Sequence, residues 1–249
     1  MHRVRVDPDI LAQEPMTLPR AAIHYITRVL RLHVGDEISA FDGTGREYRL
    51  RLTHVSPTLV QGERIAFLAA APAPKPLVLG QGLPKGAKFD FVVEKGSELG
   101  LTSLVPLYTE RTVVRDTRGQ VTERLARWQR IAEAAARQCG RQTLLEVCPP
   151  IPLADFCAQY HTAPVKIVCW EEEQHQGLRQ VLECHAGQSP VVVLVGPEGG
   201  LTAQEVAVAR SHGFVAVNLG PRLLRTETAA IAITSIVCYS LGDLEPPRV

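Results

Sequence analysis

Residues 219–229 read LGPRLLRTETA, and residues 195–202 upstream read VGPEGGLT. Each stretch follows an apolar run typical of a strand and leads toward a run typical of a helix. Glycine has no side chain, so the backbone N–H and C=O groups beside it can approach a ligand closely. Two such junctions close together predict two backbone loops that face one small ligand.

The chain alternates between strand-like and helix-like runs after residue 76. The strand-like runs are 77–81, 103–108, 165–170, 191–195 and 214–218. The helix-like runs are 89–98, 122–139, 177–185, 202–210 and 227–241. This alternation predicts an α/β fold, with a parallel sheet covered by helices on both faces. Ligands bind such sheets at the carboxyl ends of the strands, where both glycine stretches lie.

A proline-rich segment marks a domain junction. Residues 69–76 read AAAPAPKP, a pattern that favours extended backbone over helix or central strand. We therefore predict domains at 1–72 and 73–249. Short alternating runs at 37–41, 47–52 and 59–67, with one helical patch at 20–31, predict that the first domain is a small β-barrel.

The bulk composition is that of a soluble globular protein, with 45% hydrophobic residues. No apolar run approaches the roughly 20 residues of a membrane helix, and the first residues lack an apolar signal core. We expect a cytoplasmic protein without a membrane partner. The six cysteines form no C-x-x-C pair and the eight histidines show no metal spacing, so we expect reduced core cysteines, Cys139, Cys169 and Cys238 among them, and no metal.

The segment Gly196–Gly200 differs from the common nucleotide loops. Pro197 and Glu198 interrupt a G-x-G-x-x-G pattern, and the G-K-[ST] ending of a phosphate loop is absent. A carboxylate in a phosphate cradle would be repulsive, so the loop suits a neutral or cationic ligand. Thr202 and Glu205 predict a capping box at the start of the next helix.

Arg225 lies at an unusual place for a cation. Thr226 is a plausible N-cap of the last helix, and a positive charge near a helix N-terminus is unfavourable. Arg225 is therefore either a surface arginine or a residue that faces an anion or a polarised oxygen.

Positive charge is concentrated in the middle of the chain. Residues 73–145 carry 12 Lys/Arg against 7 Asp/Glu, whereas residues 146–249 carry 6 against 11. At about 100° per residue, one arc of the helix near 123–141 collects Arg127, Arg130, Arg137 and Arg141, and another collects Leu125, Trp128, Ala132, Ala135 and Cys139. The arginine arc is either a solvated face or a phosphate-binding stripe on RNA or DNA. Neighbouring cations that extend this field are Arg3, Arg5, Lys85, Lys88, Lys95, Arg111 and Arg115.

Together these motifs resemble a known family. The matching segments are 94–100 (EKGSELG), 110–112 (ERT), the pattern from Arg127-Trp128 through Glu133-Ala134 and Gln138 to Arg141, 196–200 with Glu205, and 219–229. They resemble the SPOUT methyltransferases, and among them the small-subunit (16S) ribosomal RNA uridine-N3 methyltransferases called RsmE. The resemblance extends over nearly the whole chain.

The resemblance implies an N-terminal PUA-like β-barrel that binds RNA and a C-terminal SPOUT domain with a trefoil knot. It also implies a homodimer whose sites draw on both subunits, a ribosomal RNA partner and the cofactor S-adenosyl-L-methionine. The implied cofactor-binding residues are Trp170, Leu194, Gly196, Glu198, Gly199, Gly200, Leu219, Gly220, Leu224 and Thr228.

The implied chemistry is methylation of uridine N3, which must first lose a proton. We expect Arg225 to stabilise negative charge on the uracil oxygens. Glu198 and Glu227 are the two candidate proton acceptors, and a structural role stays open for each. The expected RNA-binding residues are Arg3, Arg5, Lys95, Arg111, Arg127, Arg137 and Arg141. Two other functions stay open: a SPOUT enzyme that acts on a different RNA atom, and a non-catalytic RNA-binding ribosome assembly factor.

Overall fold

A computed structural model describes residues 1–68, 74–113 and 118–245. The chain forms two compact units, one from Met1–Ala73 with Ala136–Leu144 and the other from Pro74–Ala135 with Leu145–Val249. The predicted boundary at 72/73 falls outside the described residues. The first unit also includes Ala136–Leu144, which the predicted boundary places in the second domain.

The first unit consists mainly of strands. Its elements are β1 (His2–Arg5), α1 (Pro8–Leu11), β2 (Met16–Thr17), α2 (Arg20–His24), a π-helix (Tyr25–Leu30), β3 (Glu37–Phe41), β4 (Glu47–Val55) and β5 (Val60–Leu68). Its described residues form one five-stranded sheet in the order β1-β3-β4-β5-β2. Strand β1 is parallel to β3, and the other pairs are antiparallel.

Alternation along these strands separates an apolar face from a polar one. Val4, Ile38, Ala40, Leu50 and Leu52 point into one buried core with residues of α1, α2 and the π-helix. On the other face the Arg3 guanidinium makes a two-pronged ion pair with Glu47, with both N···O distances at 2.9 Å. The sheet is therefore apolar on one side and carries paired charges on the other, as expected of an antiparallel sheet with one core.

The second unit alternates strands and helices. Its elements are β6 (Leu77–Gly82), α3 (Lys88–Leu99), β7 (Ser103–Tyr108), α4 (Arg118–Cys139), β8 (Glu146–Val147), β9 (Ile151–Pro152), α5 (Leu153–Gln159), β10 (Val165–Cys169), α6 (Leu178–Cys184), β11 (Val191–Val195), α7 (Ala203–Ser211), β12 (Val215–Val217) and α8 (Thr226–Leu241). The strands form a parallel seven-stranded sheet in the order β12-β10-β11-β6-β7-β8, with β9 also paired to β7. The last residues of α4, from Ala136 onward, are counted with the first unit.

Both faces of this sheet are buried under helices. Val191, Val193 and Val195 pack with α3, α4, α6 and α8, whereas Val192 and Leu194 pack with α5 and α7. A strand covered on both faces needs an unbroken apolar run, which is why β11 reads VVVLV. The predicted α/β fold with a parallel sheet is confirmed.

The sequence failed to predict some shorter elements and some burial. Helix α5 and strands β8 and β9 were not predicted, because runs of two to seven residues carry too little periodicity. Cys169 and Cys238 are buried as expected, but Cys139 is exposed because it lies at the very end of α4. Within the described ranges, no helix has the length and apolar character needed to span a membrane.

Candidate active site

Three loops meet at the carboxyl edge of the parallel sheet. Strands β12, β10 and β11 are neighbours, so the segments that follow them emerge side by side. We call residues 196–201 the first glycine loop and residues 218–225 the second glycine loop; Trp170 and Glu171 follow β10. Together they enclose a cavity of about 650 Å³. Its lining also includes Lys88 of α3 and Thr226 and Ala229 of α8.

The cavity brings together most of the predicted site residues. Both predicted catalytic residues, Arg225 and Glu198, line it. The predicted cofactor-binding residues that line it are Trp170, Gly196, Glu198, Gly199, Gly200, Leu219, Gly220 and Leu224. Leu194 and Thr228 do not line the cavity. Leu194 is fully buried on the face of β11 that packs against α5 and α7, and Thr228 is exposed in the first turn of α8.

The first glycine loop has a tightly determined backbone. Gly200 adopts φ +71°, a left-handed conformation that side chains disfavour, and its N–H donates to Pro197 O at 2.9 Å. A side chain at Gly200 would also collide with the Glu171 carboxylate. The predicted capping box follows: Glu205 N–H donates to the Thr202 hydroxyl at 3.2 Å, and Thr202 N–H to the Glu205 carboxylate at 2.9 Å. The loop therefore leads directly into a capped helix.

A buried glutamine connects the first glycine loop to β6 and α8. The Gln81 side-chain nitrogen lies 2.9 Å from Gly82 O, 3.1 Å from Gly196 O and 2.8 Å from the Thr226 hydroxyl. Because the nitrogen faces two carbonyl oxygens, the amide orientation follows from its contacts. Gln81 is completely buried, so it acts as an internal clamp between three segments.

Thr226 corrects one prediction. Arg225, and not Thr226, occupies the N-cap position of α8. The Thr226 hydroxyl instead donates to Gly196 O at 2.5 Å. The reason is burial: Thr226 lies beneath the first glycine loop, where that carbonyl oxygen needs a donor.

Glu198 is fixed by cations and backbone. Its carboxylate accepts hydrogen bonds from Lys88 Nζ at 2.8 Å and from the backbone N–H of Lys85 at 3.0 Å. Partial burial raises the pKa of Glu198, but the hydrogen bonds from Lys88 and the backbone outweigh it, so its pKa lies below the ordinary value of 4.5. A carboxylate with a lowered pKa is a weaker base, which weighs against Glu198 as the proton acceptor. Glu227, the alternative acceptor, lies outside the residues that line the cavity.

Arg225 presents an unengaged cation at the cavity. Its backbone is extended, with φ −64° and ψ 151°, and its carbonyl accepts the N–H of Ala229 at 2.8 Å. Its side chain is exposed, and within the described residues no acid or carbonyl binds its guanidinium. The arginine is thus able to face an anion or a polarised oxygen of a ligand.

The segment after β10 supplies the third wall. The Asn218 side-chain nitrogen donates to Glu171 O at 3.1 Å and to Glu173 O at 2.9 Å, which joins the ends of β12 and β10. Trp170 is packed in the core below, with the Arg210 guanidinium 5.6 Å from its ring centroid. Arg210 also pairs with Glu173 at 2.6 Å.

The predicted RNA-binding residues of the second unit have protein partners. Arg127 pairs with Asp90 of α3. Lys95 pairs with Glu94 and with Glu98, and both of these N···O distances are 2.8 Å. These two carboxylates raise the pKa of Lys95 to about 12. Arg111 donates to Gly199 O at 2.5 Å, across the first glycine loop. Arg115 lies outside the described residues.

The predicted RNA-binding residues of the first unit differ in exposure. Arg3 is largely buried, whereas Arg5, Arg137 and Arg141 are partly exposed. The Arg3 side chain is only 12% exposed, because besides its pairing with Glu47 it donates to Ala136 O at 2.7 Å. Little of its guanidinium remains for a phosphate. Arg5 pairs with Asp7 at 3.0 Å. Arg137 lies over the Tyr25 ring at 5.5 Å, and Arg141 donates to the Thr143 hydroxyl at 3.2 Å.

Three residues of the site were missed as site residues. The sequence predicts no site role for Gln81 or Glu171. It indicates Lys88 only as one of the cations that extend a positive field. Lys88 and Gln81 act on loops more than one hundred residues away in sequence, and nothing in their neighbours signals that contact. Glu171 carried a local signal, because an acid directly after a strand of a parallel sheet lies at the ligand-binding edge.

Comparisons with known proteins identify the family of the chain. A family model for an RNA methyltransferase domain matches residues 71–238, and one for an RNA methyltransferase PUA domain matches residues 18–63. Ribosomal RNA small subunit methyltransferase E of Synechocystis is 33% identical over 238 residues, which cover 94% of this chain and 77% of that protein.

Two solved structures resemble the whole chain. Ribosomal RNA small subunit methyltransferase E from Neisseria gonorrhoeae, bound to S-adenosyl methionine, has a TM-score of 0.84 and 31% identity, and the match covers 96% of this chain and 97% of that one. A putative methyltransferase from Legionella pneumophila, solved with the same cofactor, has a TM-score of 0.87 and 28% identity, covering 96% and 98%. The chain belongs to the RNA methyltransferase family that includes ribosomal RNA small subunit methyltransferase E.

Proposed function

We propose that this protein transfers the methyl group of S-adenosyl-L-methionine to N3 of a specific uridine in small-subunit (16S) ribosomal RNA. The observation that carries the proposal is the cavity formed by the two glycine loops, with an unengaged Arg225 at its rim. Its volume of about 650 Å³ is within the usual range of about 300–1,000 Å³ for small-ligand sites.

The residues of the cavity fit this cofactor. Its lining offers backbone groups of Gly196, Gly199 and Gly200, which suit an adenine or an amino acid moiety. Lys88 pairs with Glu198, so that carboxylate leaves no unbalanced negative charge beside the ligand. When bound, the cofactor supplies an electrophilic methyl group.

The chain's own residues would make the uridine reactive. The N3 proton must pass to solvent before N3 can attack the methyl group, and S-adenosylhomocysteine is then the leaving group. As the proton leaves, negative charge develops on the uracil O2 and O4 atoms. The Arg225 guanidinium would stabilise that charge, in a site where fixed donors act more strongly than water does. Since Glu198 is held by Lys88 and by backbone, we assign it to fixing the first glycine loop rather than to accepting the proton.

The finer architecture also belongs to the proposal. We infer that the second unit contains a trefoil knot, that the first unit is a PUA-like β-barrel for RNA, and that the protein acts as a homodimer. The dimer is supported by apolar side chains that α3 and α8 leave exposed, Phe91 at 45%, Ile236 at 44% and Tyr239 at 67%. Light scattering at several concentrations tests it, because a monomer at all of them contradicts the dimer.

Contact with RNA is proposed for Arg5, Arg111, Arg137 and Arg141, and the test addresses the two at the end of α4, Arg137 and Arg141. Replacing Arg137 and Arg141 together by alanine should weaken RNA binding and reduce the salt slope of log K by about 1 to 2. Arg127→Ala is the matched control, because Asp90 already engages that guanidinium. An unchanged slope in the double variant excludes these arginines as phosphate contacts.

The deciding experiment is to map the methylated nucleotide. Purified protein, labelled cofactor and small ribosomal subunits or naked 16S RNA are incubated, and mass spectrometry locates the methyl group. A single N3-methyluridine supports the proposal. A methyl group on a ribose or on another base identifies a SPOUT enzyme of different specificity. RNA binding without methyl transfer identifies an assembly factor.

A further inference from the structure

Glu171 is the carboxylate of the cavity that the proposed reaction does not use. It lies two residues after the end of β10, at the carboxyl edge of the sheet, and it lines the cavity. Its carboxylate lies close to Gly200, where a Cβ atom would meet it unless the Glu171 side chain moved. Since β10 lies between β11 and β12, Glu171 leaves the sheet between the two glycine loops.

Two carboxylates near the cavity, those of Glu198 and Glu173, have hydrogen-bonding partners, whereas that of Glu171 has none within the described residues. Glu198 is bound by Lys88 and by backbone, and Glu173 accepts the N–H of His175 at 2.9 Å and pairs with Arg210. Among the residues that the structure describes, none donates a hydrogen bond to the Glu171 side chain or forms an ion pair with it. Only its backbone carbonyl has a partner, the Asn218 side chain. Within the described residues, the side chain thus makes no hydrogen bond or ion pair that would occupy its carboxylate.

The sheet geometry indicates which ligand group this carboxylate meets. Strands β10 and β11 are adjacent and parallel, with Cys169 opposite Val195, so Glu171 and the first glycine loop leave the sheet side by side. In parallel sheets that bind nucleotides, an acid at the end of one strand accepts hydrogen bonds from ribose hydroxyls while the glycine loop of a neighbouring strand approaches the ligand. Two vicinal hydroxyls match the two oxygens of one carboxylate.

We propose that Glu171 binds the 2′- and 3′-hydroxyls of the ribose of an adenosine-containing ligand in this cavity. The inference rests on the proposed function, since it assumes that S-adenosylmethionine occupies the cavity. It assigns to Glu171 recognition of the nucleoside, which the product of the reaction also carries, rather than of the sulfonium or the ammonium group.

Calorimetry with three ligands tests the assignment. S-adenosylmethionine carries sulfonium, ammonium and ribose, S-adenosylhomocysteine lacks the sulfonium, and 5′-methylthioadenosine lacks both charged groups. Glu171→Ala should weaken all three by a similar factor, on the order of 10-fold or more, because hydrogen bonds to a charged group are lost in each. Glu172→Ala, the adjacent exposed glutamate outside the cavity, should leave all three unchanged.

A second ligand pair identifies the hydroxyls themselves. Wild-type protein should bind 2′-deoxy-5′-methylthioadenosine more weakly than 5′-methylthioadenosine, and Glu171→Ala should bind the two almost equally. A loss confined to S-adenosylmethionine would assign Glu171 to the sulfonium, and a loss that spares only 5′-methylthioadenosine would assign it to the ammonium; either overturns the inference, as does no loss. If wild-type protein binds none of the ligands, the proposed function itself fails, which is distinguishable from a failure seen only in the variants.

Discussion

The two glycine loops that face the same cavity are built differently. The first is held by side chains from several elements: Gln81 at Gly196, Lys88 at Glu198, and Arg111 at Gly199. The second is largely exposed; the Leu223 side chain is 84% accessible, and Gly220, at φ +109°, donates its N–H to the Asn218 side chain at 2.7 Å. The first loop is fixed along its length by long-range contacts, whereas within the described residues the long-range hydrogen bonds of the second are made at its first residue, Asn218.

The difference separates two tasks within one site. A loop fixed before binding costs little ordering entropy when a ligand arrives, which suits the first glycine loop to the cofactor. A loop with few contacts can adjust to a macromolecule, which suits the second glycine loop and its Arg225 to RNA. The contrast predicts that substitutions of the residues that fix the first loop affect stability and cofactor binding, whereas substitution of Arg225 in the second affects methyl transfer.

The largest expected effect belongs to Arg225. Arg225→Ala should lower kcat by about 10²–10³, a loss typical of a donor that stabilises transition-state charge. Cofactor affinity and the free energy of unfolding should stay near wild type, because no described residue depends on this side chain. Arg179→Ala, an exposed arginine of α6 outside the cavity, is the control. Near wild-type turnover in Arg225→Ala contradicts the catalytic role, and an equal loss of cofactor affinity reassigns Arg225 to the cofactor.

Substitution of Gln81 should lower stability and cofactor affinity, both of which Arg225→Ala should leave unchanged. Gln81→Leu leaves the buried carbonyl of Gly82 without its side-chain donor and removes one of the two donors to that of Gly196, which should lower the free energy of unfolding by about 1–3 kcal/mol. Because the first glycine loop then loses its clamp, cofactor affinity should fall as well. Urea denaturation and calorimetry measure the two effects.

The control for this variant is Gln61→Leu. Gln61 lies on β5 of the first unit, and its side-chain nitrogen donates to the Thr17 hydroxyl at 3.1 Å. Unlike Gln81, it is only partly buried. Its replacement should destabilise less and leave cofactor affinity unchanged. If Gln81→Leu retains full stability and full cofactor affinity, the first loop does not depend on the clamp and the contrast between the loops is lost.

The ion pair of Glu198 adds a pH dependence. Its folded-state pKa is lowered, so its contribution to stability is present above the ordinary value of 4.5 and is lost as the pH falls through the folded-state pKa. Wild-type protein should therefore exceed Glu198→Gln in stability near pH 7, and the difference should shrink below about pH 4.5. Urea denaturation across this range measures it, with Glu172→Gln as an exposed control. A difference that does not change with pH contradicts the ion pair.

Much of the fold was predictable from the sequence because its signals are local. The apolar run of β11 and the capping box of Thr202 depend only on neighbours along the chain, and both predictions are confirmed. The short helix α5 and the N-cap at Arg225 were missed or misassigned. In the second case burial overrode local preference, since the Thr226 hydroxyl is used by a distant carbonyl.

The site was predictable in position but not in its internal pairing. That both glycine stretches lie at the carboxyl edge follows from strand order in a parallel sheet. That Lys88 engages Glu198, and that Asp90 engages Arg127, depends on how α3 packs, which no local pattern encodes. The sequence therefore predicts Arg127 as an RNA contact, because few acidic residues are near it on its own helix.

The smallest expected effect distinguishes positions within the second glycine loop. Leu223→Ala should leave the free energy of unfolding within about 0.5 kcal/mol of wild type, because an exposed leucine contributes little to folding. Leu219→Ala, at a partly buried residue packed on the core, should cost about 1 kcal/mol or more. If Leu223→Ala destabilises as strongly as Leu219→Ala, Leu223 is covered in solution. A thermal midpoint that then rises with protein concentration would identify the cover as a second copy of the chain, since only association makes stability depend on concentration. The second glycine loop would in that case be fixed between subunits, and its difference from the first would hold only for the isolated chain.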